Sequence, residues 1–136
     1  MLKVLIVEDD FMVADCLEEI LSVAGFNVCA ITGNVADAIT LGEQHAPDLA
    51  VIDLHLNDGG FGTEVGAALC ERINVGVLYA SGNPDDPRLR DARGAACIAK
   101  PYSASSIVAA LHAVSDRTIG RAAWSELPKG LRLLIA

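Results

Sequence analysis

Aromatic side chains are scarce in this 136-residue chain: three Phe, two Tyr and one Trp, 4% of the total. Any core must therefore be aliphatic. Apolar residues make up 52%, which argues against disorder, and the length suits one compact domain. Positive charge is scarce as well. Ten Lys and Arg face 18 Asp and Glu, a formal net of -8. Phosphate backbones demand a basic face, so direct nucleic-acid binding is not expected. The deficit is uneven: residues 117–136 hold Arg117, Arg121, Lys129 and Arg132 against Glu126, net +3, leaving -11 for residues 1–116. Long apolar runs are missing. The longest uncharged stretch, Ile20 to Ala36, is broken by Gly25-Phe26-Asn27, so no membrane span is expected. Val4-Leu5-Ile6-Val7 is too short for a signal-peptide core. Cys16, Cys29, Cys70 and Cys97 form no C-x-x-C pair and read as reduced residues of a cytoplasmic protein.

What is present is a regular alternation. Residues 2–7 are an apolar run with β-branched members, the pattern of a buried parallel strand. Asp10 can cap a helix carrying Val13, Leu17, Ile20, Leu21 and Ala24, with Gly25 at its stop. A second strand follows from Asn27 to Ile31. Asn34 can cap a helix to about His45, closed by Pro47. The third strand is Leu49-Ala50-Val51-Ile52-Asp53. A glycine-rich loop at 57–62 precedes a helix from Thr63 to Ile73 with Val65 and Leu69 inward. Val75 to Ala80 is a fourth strand. A weak helix opens at Asn83-Pro84-Asp85-Asp86-Pro87, anchored only by Leu89 and Ala92. Ala95 to Ala99 is a fifth strand, and Ser103 caps a last helix bearing Ile107, Ala110, Leu111 and Val114. Five strands alternating with five helices make an α/β, doubly wound parallel sheet. Residues 117–136 form a C-terminal extension, read either as a tail packed on its own domain or as a partner or dimer contact.

In an open α/β sheet, ligands bind beyond the carboxyl ends of the strands. There the topology gathers Glu8, Asp9, Asp53, Ser81 and Lys100. Three close carboxylates repel and need a counter-charge. A hard dication such as Mg²⁺ supplies it and leaves room for a phosphoryl group. Lys100 adds a point charge, Ser81 a hydroxyl, and Asp53 is a candidate nucleophile toward phosphorus. Each piece has a plain alternative, since acids cap helices, Ser-Gly is a common loop and Lys-Pro a common strand exit. Their joint placement on the correct strands is the specific signal. His45 and His112 lack a metal-ligand partner at helical spacing and read as surface or boundary residues. The alternating Asp85, Asp86, Arg88, Arg90, Asp91 and Arg93 read as a solvated face.

Val7-Glu8-Asp9-Asp10, Val51-Ile52-Asp53-Leu54, Tyr79-Ala80-Ser81-Gly82 and Lys100-Pro101-Tyr102 make residues 1–116 resemble a receiver domain of the bacterial response-regulator family. The resemblance implies a flavodoxin-like fold with strand order 2-1-3-4-5. It makes Asp53 the phosphoacceptor and Asp9 a direct Mg²⁺ ligand. Glu8 would act through water, and the backbone carbonyl of His55 would complete the metal site. Ser81 becomes the switch hydroxyl and Lys100 the phosphoryl contact, with the N–H groups of Leu54 and Gly82 facing the phosphate. The family's switch aromatic, three positions before the lysine, is Cys97 here. The Tyr79-Ala80-Ser81-Gly82 stretch also resembles an aromatic-Ala-Thr-Gly motif of some single-domain receivers. Implied partners are a sensor histidine kinase or phosphotransfer protein and a downstream protein, with a homodimer as a further option. A stand-alone, non-enzymatic signalling domain is therefore expected, since 20 residues after 116 are too few for a second domain. Two rivals stand beside it. A Mg²⁺-dependent aspartyl phosphatase would want a second Asp where His55 stands, and a binding module that never cycles phosphate would not need the acid, hydroxyl and lysine set.

Overall fold

The computed structural model describes residues 1–57, 59–118 and 128–134, with the side chains of residues 117 and 118 excepted. Strand β1 (Lys3–Val7) leads to helix α1 (Phe11–Val23), then β2 (Asn27–Thr32), α2 (Val35–His45), β3 (Leu49–Asp53), α3 (Gly62–Arg72) and β4 (Gly76–Ser81). A 3-10 turn (Pro87–Asp91), β5 (Ala96–Ala99), α4 (Ala104–Thr118) and β6 (Leu131–Leu133) complete the order. The sheet runs β2-β1-β3-β4-β5-β6. Its first five strands pair in parallel in the expected order, and β6 is antiparallel to β5.

Alternation along the strands sorts two cores, one on each face of the sheet. Val4, Ile6, Leu49, Val51, Leu78, Ala80, Ala96 and Ile98 pack with Leu17 and Leu21 of α1 and with Ile107, Leu111 and Val114 of α4. Leu5, Val7, Ala50, Ile52, Val77, Tyr79 and Cys97 pack with Ala38 of α2 and with Val65 and Leu69 of α3. Each such large aliphatic side chain contributes roughly 1.5–3 kcal/mol on burial. The caps are those the sequence advertises. Asp10 accepts the N–H groups of Met12 (3.0 Å) and Val13 (3.3 Å). Asn34 accepts that of Asp37 (2.8 Å), and Ser103 that of Ser106 (3.1 Å). In α1 the inward face is Ala14, Leu17 and Leu21, while Val13 is half-buried and Ala24 exposed.

One expectation is corrected. Among the described residues there are four α-helices, because the fourth connection is a 3-10 turn. Pro84, Pro87 and a single buried anchor, Leu89, cannot carry an amphipathic helix there. The apolar end of the tail is a strand on the β5 edge. Residues 119–127, with Arg121, Trp124 and Glu126, lie outside the described residues. No helix among the described residues is long and apolar enough to cross a membrane.

Candidate functional site

Parallel register brings the chemistry together. Val7 pairs with Ile52, Asp53 with Ala80, and Ser81 with Ala99. The residues leaving β1, β3, β4 and β5 therefore surface along one edge. Helix α3 begins close above Asp53: the Gly62 N–H donates to the Leu54 carbonyl (2.8 Å). A Cβ on Gly62 would lie 2.2 Å from the Asp53 carbonyl oxygen, so no other residue fits there without moving the loop.

At that edge, one carboxylate oxygen from each of Glu8, Asp9 and Asp53 lies within 4.8 Å of the others. Lys100 Nζ bridges two of them, 2.9 Å from Glu8 Oε1 and 3.5 Å from Asp53 Oδ1. Burial by itself lowers the Lys100 pKa. The hydrogen bond to Glu8 and the charges of Asp53 and Glu8 outweigh it and hold the ammonium above its usual range. Glu8 also accepts the Asp10 N–H (3.2 Å), and Asp9 accepts the N–H of Asn57. Glu8 is buried, whereas Asp9 and Asp53 remain half-buried and reachable. One ammonium against three carboxylates leaves about two negative charges, which a dication fits.

The Ser81 hydroxyl and the Leu54 N–H are bonded elsewhere. The Ser81 hydroxyl is turned onto Asn83, donating to its carbonyl (3.1 Å) and accepting its N–H (3.0 Å). The Leu54 N–H donates to the Ala80 carbonyl (3.1 Å) rather than facing the pocket. Cys97 is fully buried beside its register partner Tyr79, and burial pushes its thiol up to about 11. His45 is half-buried and His112 exposed, its ring 5.0 Å from that of Phe26. All four cysteines are free, and Cys16 is exposed.

Sequence reading missed a cluster at the mouth of the pocket. His55 Nε2 lies 3.1 Å from Asp86 Oδ2, and the His55 ring meets the Phe61 ring edge-on at 5.6 Å. Arg88 sits 3.9 Å over Phe61 and 3.3 Å from Asp86 Oδ1. Asp86 is 6% exposed, which overturns its reading as part of a solvated face. Its carboxyl is held below the usual range by the Arg88 backbone N–H first, then by His55 and the Arg88 side chain, against the opposing effect of burial. An Asp directly before Pro87, able to cap the Arg88 N–H (2.9 Å), was the available signal.

Residues 4–112 match the family described as the response regulator receiver domain. The chain belongs to that family. The receiver is 32% identical over 125 residues to the cell cycle transcriptional regulator CtrA of Caulobacter vibrioides, covering 89% of this chain and 53% of that one. It spans about half the length of the curated relatives it matches. In fold it is similar to the signal receiver domain of a modulated diguanylate cyclase from Desulfovibrio desulfuricans G20. That match has a TM-score of 0.79 at 23% identity, covering 90% of this chain and 99% of that one. It is also similar to a CheY-like receiver domain protein from Methanospirillum hungatei JF-1, with a TM-score of 0.78 at 22% identity and the same two coverages. Receivers of this family typically use Mg²⁺ at an acidic site, and Glu8, Asp9 and Asp53 form an acidic cluster here.

Proposed function

We propose that residues 1–116 are a phosphoacceptor domain of a two-component phosphorelay, with Asp53 receiving a phosphoryl group from a phosphohistidine on a sensor kinase or phosphotransfer protein. The observation that carries this reading is the Lys100 ammonium held between Glu8 and Asp53 in the three-carboxylate cluster. Asp9 and Asp53, the His55 carbonyl, and Glu8 through water would hold Mg²⁺. When bound, the ion supplies positive charge against the phosphoryl oxygens.

Asp53 acts as the nucleophile. Its carboxylate oxygen forms the new bond to phosphorus, the P–N bond breaks, and the imidazole nitrogen leaves with the electron pair. Lys100 offsets charge on the transferring group and, with its raised pKa, stays protonated at neutral pH. Ser81 must leave Asn83 to donate to a phosphoryl oxygen. No aromatic ring can follow it at position 97, where Cys97 stands. The change therefore passes through Asn83 to the 3-10 turn and the Asp86–His55 contact. Output is by protein contact in the cytoplasm, without direct nucleic-acid or membrane binding, and residues 117–136 serve as an extension of the domain.

The test is transfer from an autophosphorylated histidine kinase. Label should move to the wild type within its Mg²⁺-containing buffer and not to Asp53→Asn. Equal labelling of both would refute the assignment.

A further inference from the structure

The strand at the end of the chain sits in a seat with its own chemistry. Along the β5 edge, Leu131 pairs with Ile98, Arg132 with Cys97, and Leu133 with Ala96. Backbone bonds frame it on both sides, from the Ala99 N–H to the Gly130 carbonyl (3.0 Å) and from the Leu134 N–H to the Ala95 carbonyl (2.9 Å). Leu131 and Leu133 pack on one core of the sheet and Leu134 on the other. Arg132 reaches across to donate to the Pro84 carbonyl (3.0 Å) and pairs with Asp85. The seat thus reads an extended segment of alternating apolar, basic and apolar residues: backbone bonds hold it, and Asp85 selects the positive charge.

The resident segment is weakly held. Its strand is three residues long, and its ion pair is between a half-exposed Arg132 and an exposed Asp85, a kind of contact that contributes little. Short edge strands with so few partners open easily. The selecting groups also stand next to the proposed switch. Asn83 holds Ser81 through two bonds, and the same residue caps the Asp85 N–H (3.0 Å) and accepts the Asp86 N–H (3.1 Å). A Ser81 hydroxyl that turns to a phosphoryl oxygen gives up both Asn83 bonds and unsettles the turn that presents Pro84 and Asp85.

The geometry points to the β5 edge, with Pro84 and Asp85, as a strand-acceptor site for an extended apolar–basic–apolar segment of a partner protein. The chain's own Leu131–Leu134 is its resident occupant. Phosphorylation at Asp53 loosens that occupant through Ser81 and Asn83, and this last clause rests on the phosphoacceptor reading above.

A fluorescent peptide of sequence Lys-Gly-Leu-Arg-Leu-Leu, titrated with the full chain, tests the site. Arg132→Glu sets like charges at Asp85 and should open the seat, raising peptide affinity about twofold to fivefold over wild type. Adding Asp85→Lys restores an opposite pair within the chain and should return affinity to the wild-type level. A general loosening of the fold would not be reversed in this way. No gain from Arg132→Glu, or no reversal by the double variant, overturns the acceptor site. Treatment with acetyl phosphate and Mg²⁺ should raise peptide affinity of the wild type but not of Asp53→Asn. Phosphate uptake without that gain overturns the gating. Absent uptake counts against the Asp53 reading, while the charge-swap result still decides the site. A phosphorylation-dependent dimer that the peptide disperses would give the seat to a second copy of the chain and overturn the partner assignment.

Discussion

Tyr79 and Cys97 are register partners on neighbouring strands, both fully buried on the same face of the sheet. The Tyr79 ring packs closely on Gly66 and Gly94, where an added Cβ would meet its atoms. Its hydroxyl donates to the Arg93 carbonyl (2.7 Å), and burial raises its pKa well above the ordinary phenol value. Both side chains lie in the same buried cluster.

Replacing Cys97 with Phe should therefore overpack the core. A loss of about 1–3 kcal/mol is expected, read as a lower urea midpoint, while Cys97→Ala costs less. An unchanged midpoint for Cys97→Phe would mean that the Tyr79 ring is free to move.

Tyr79 is itself fitted against α3. A Cβ on Gly66 would lie 1.8 Å from its hydroxyl oxygen. Gly66→Ala should destabilise the domain by several times the ordinary Gly-to-Ala effect in a helix, which is about 1 kcal/mol and favourable to Ala. Tyr79→Phe should cost about 1 kcal/mol by removing the hydrogen bond to the Arg93 carbonyl. In the double variant the two losses should be less than additive, because removing the hydroxyl relieves the clash. Strict additivity in a denaturation cycle would contradict the contact.

The five parallel strands and four helices were legible because each declares itself locally. Apolar runs end in acids, and Asp10, Asn34 and Ser103 stand where caps are needed. The acidic pocket was legible for the same reason, since Glu8, Asp9, Asp53 and Lys100 each stand at or just past the end of a strand. What was hidden depends on specific partners that periodicity does not name. Leu131–Leu133 becomes a strand only by meeting Ala96–Ile98. Asp86 is buried in contact with His55 and Arg88. The orientation of Ser81 is set by Asn83, two residues away, yet no periodicity encodes it.

Lys100 is the one cation held within the pocket among the described residues. Its pKa is raised in the fold, so its contribution to stability is present below about pH 10.5 and fades only as pH rises through the higher folded value. Lys100→Met should leave three carboxylates facing each other. The variant should be less stable than wild type at pH 7, and the gap should narrow as pH falls toward about 4, where carboxylates take up protons. Urea midpoints across pH check this; a gap independent of pH would contradict the electrostatic role.

Metal should stabilise the same pocket. At saturating Mg²⁺ the wild type gains stability by mass action, about 2.7 kcal/mol at a hundredfold excess over the dissociation constant. Asp9→Asn should shift its melting temperature far less. Equal shifts in a thermal melt would remove Asp9 from the ligand set.

The Asp86 contact should bolt the loop after β3 to the 3-10 turn. With its carboxyl below the usual value near 3.8, the contact persists above that pH and weakens as pH falls through the lower folded value. Asp86→Ala should speed amide exchange at Arg88 and Leu89 by about tenfold, the scale of a lost cap. Unchanged protection at both amides would contradict it.

The most direct measurement is the chemical identity of the labelled residue. Borohydride reduces an aspartyl phosphate to homoserine, and peptide mass spectrometry then reads which aspartate carried it. After treatment with acetyl phosphate and Mg²⁺, homoserine should appear at position 53 alone. Conversion at Asp9 or Asp10, or stoichiometric phosphate uptake with residue 53 still aspartate, would contradict a pocket built around the Asp53 carboxylate.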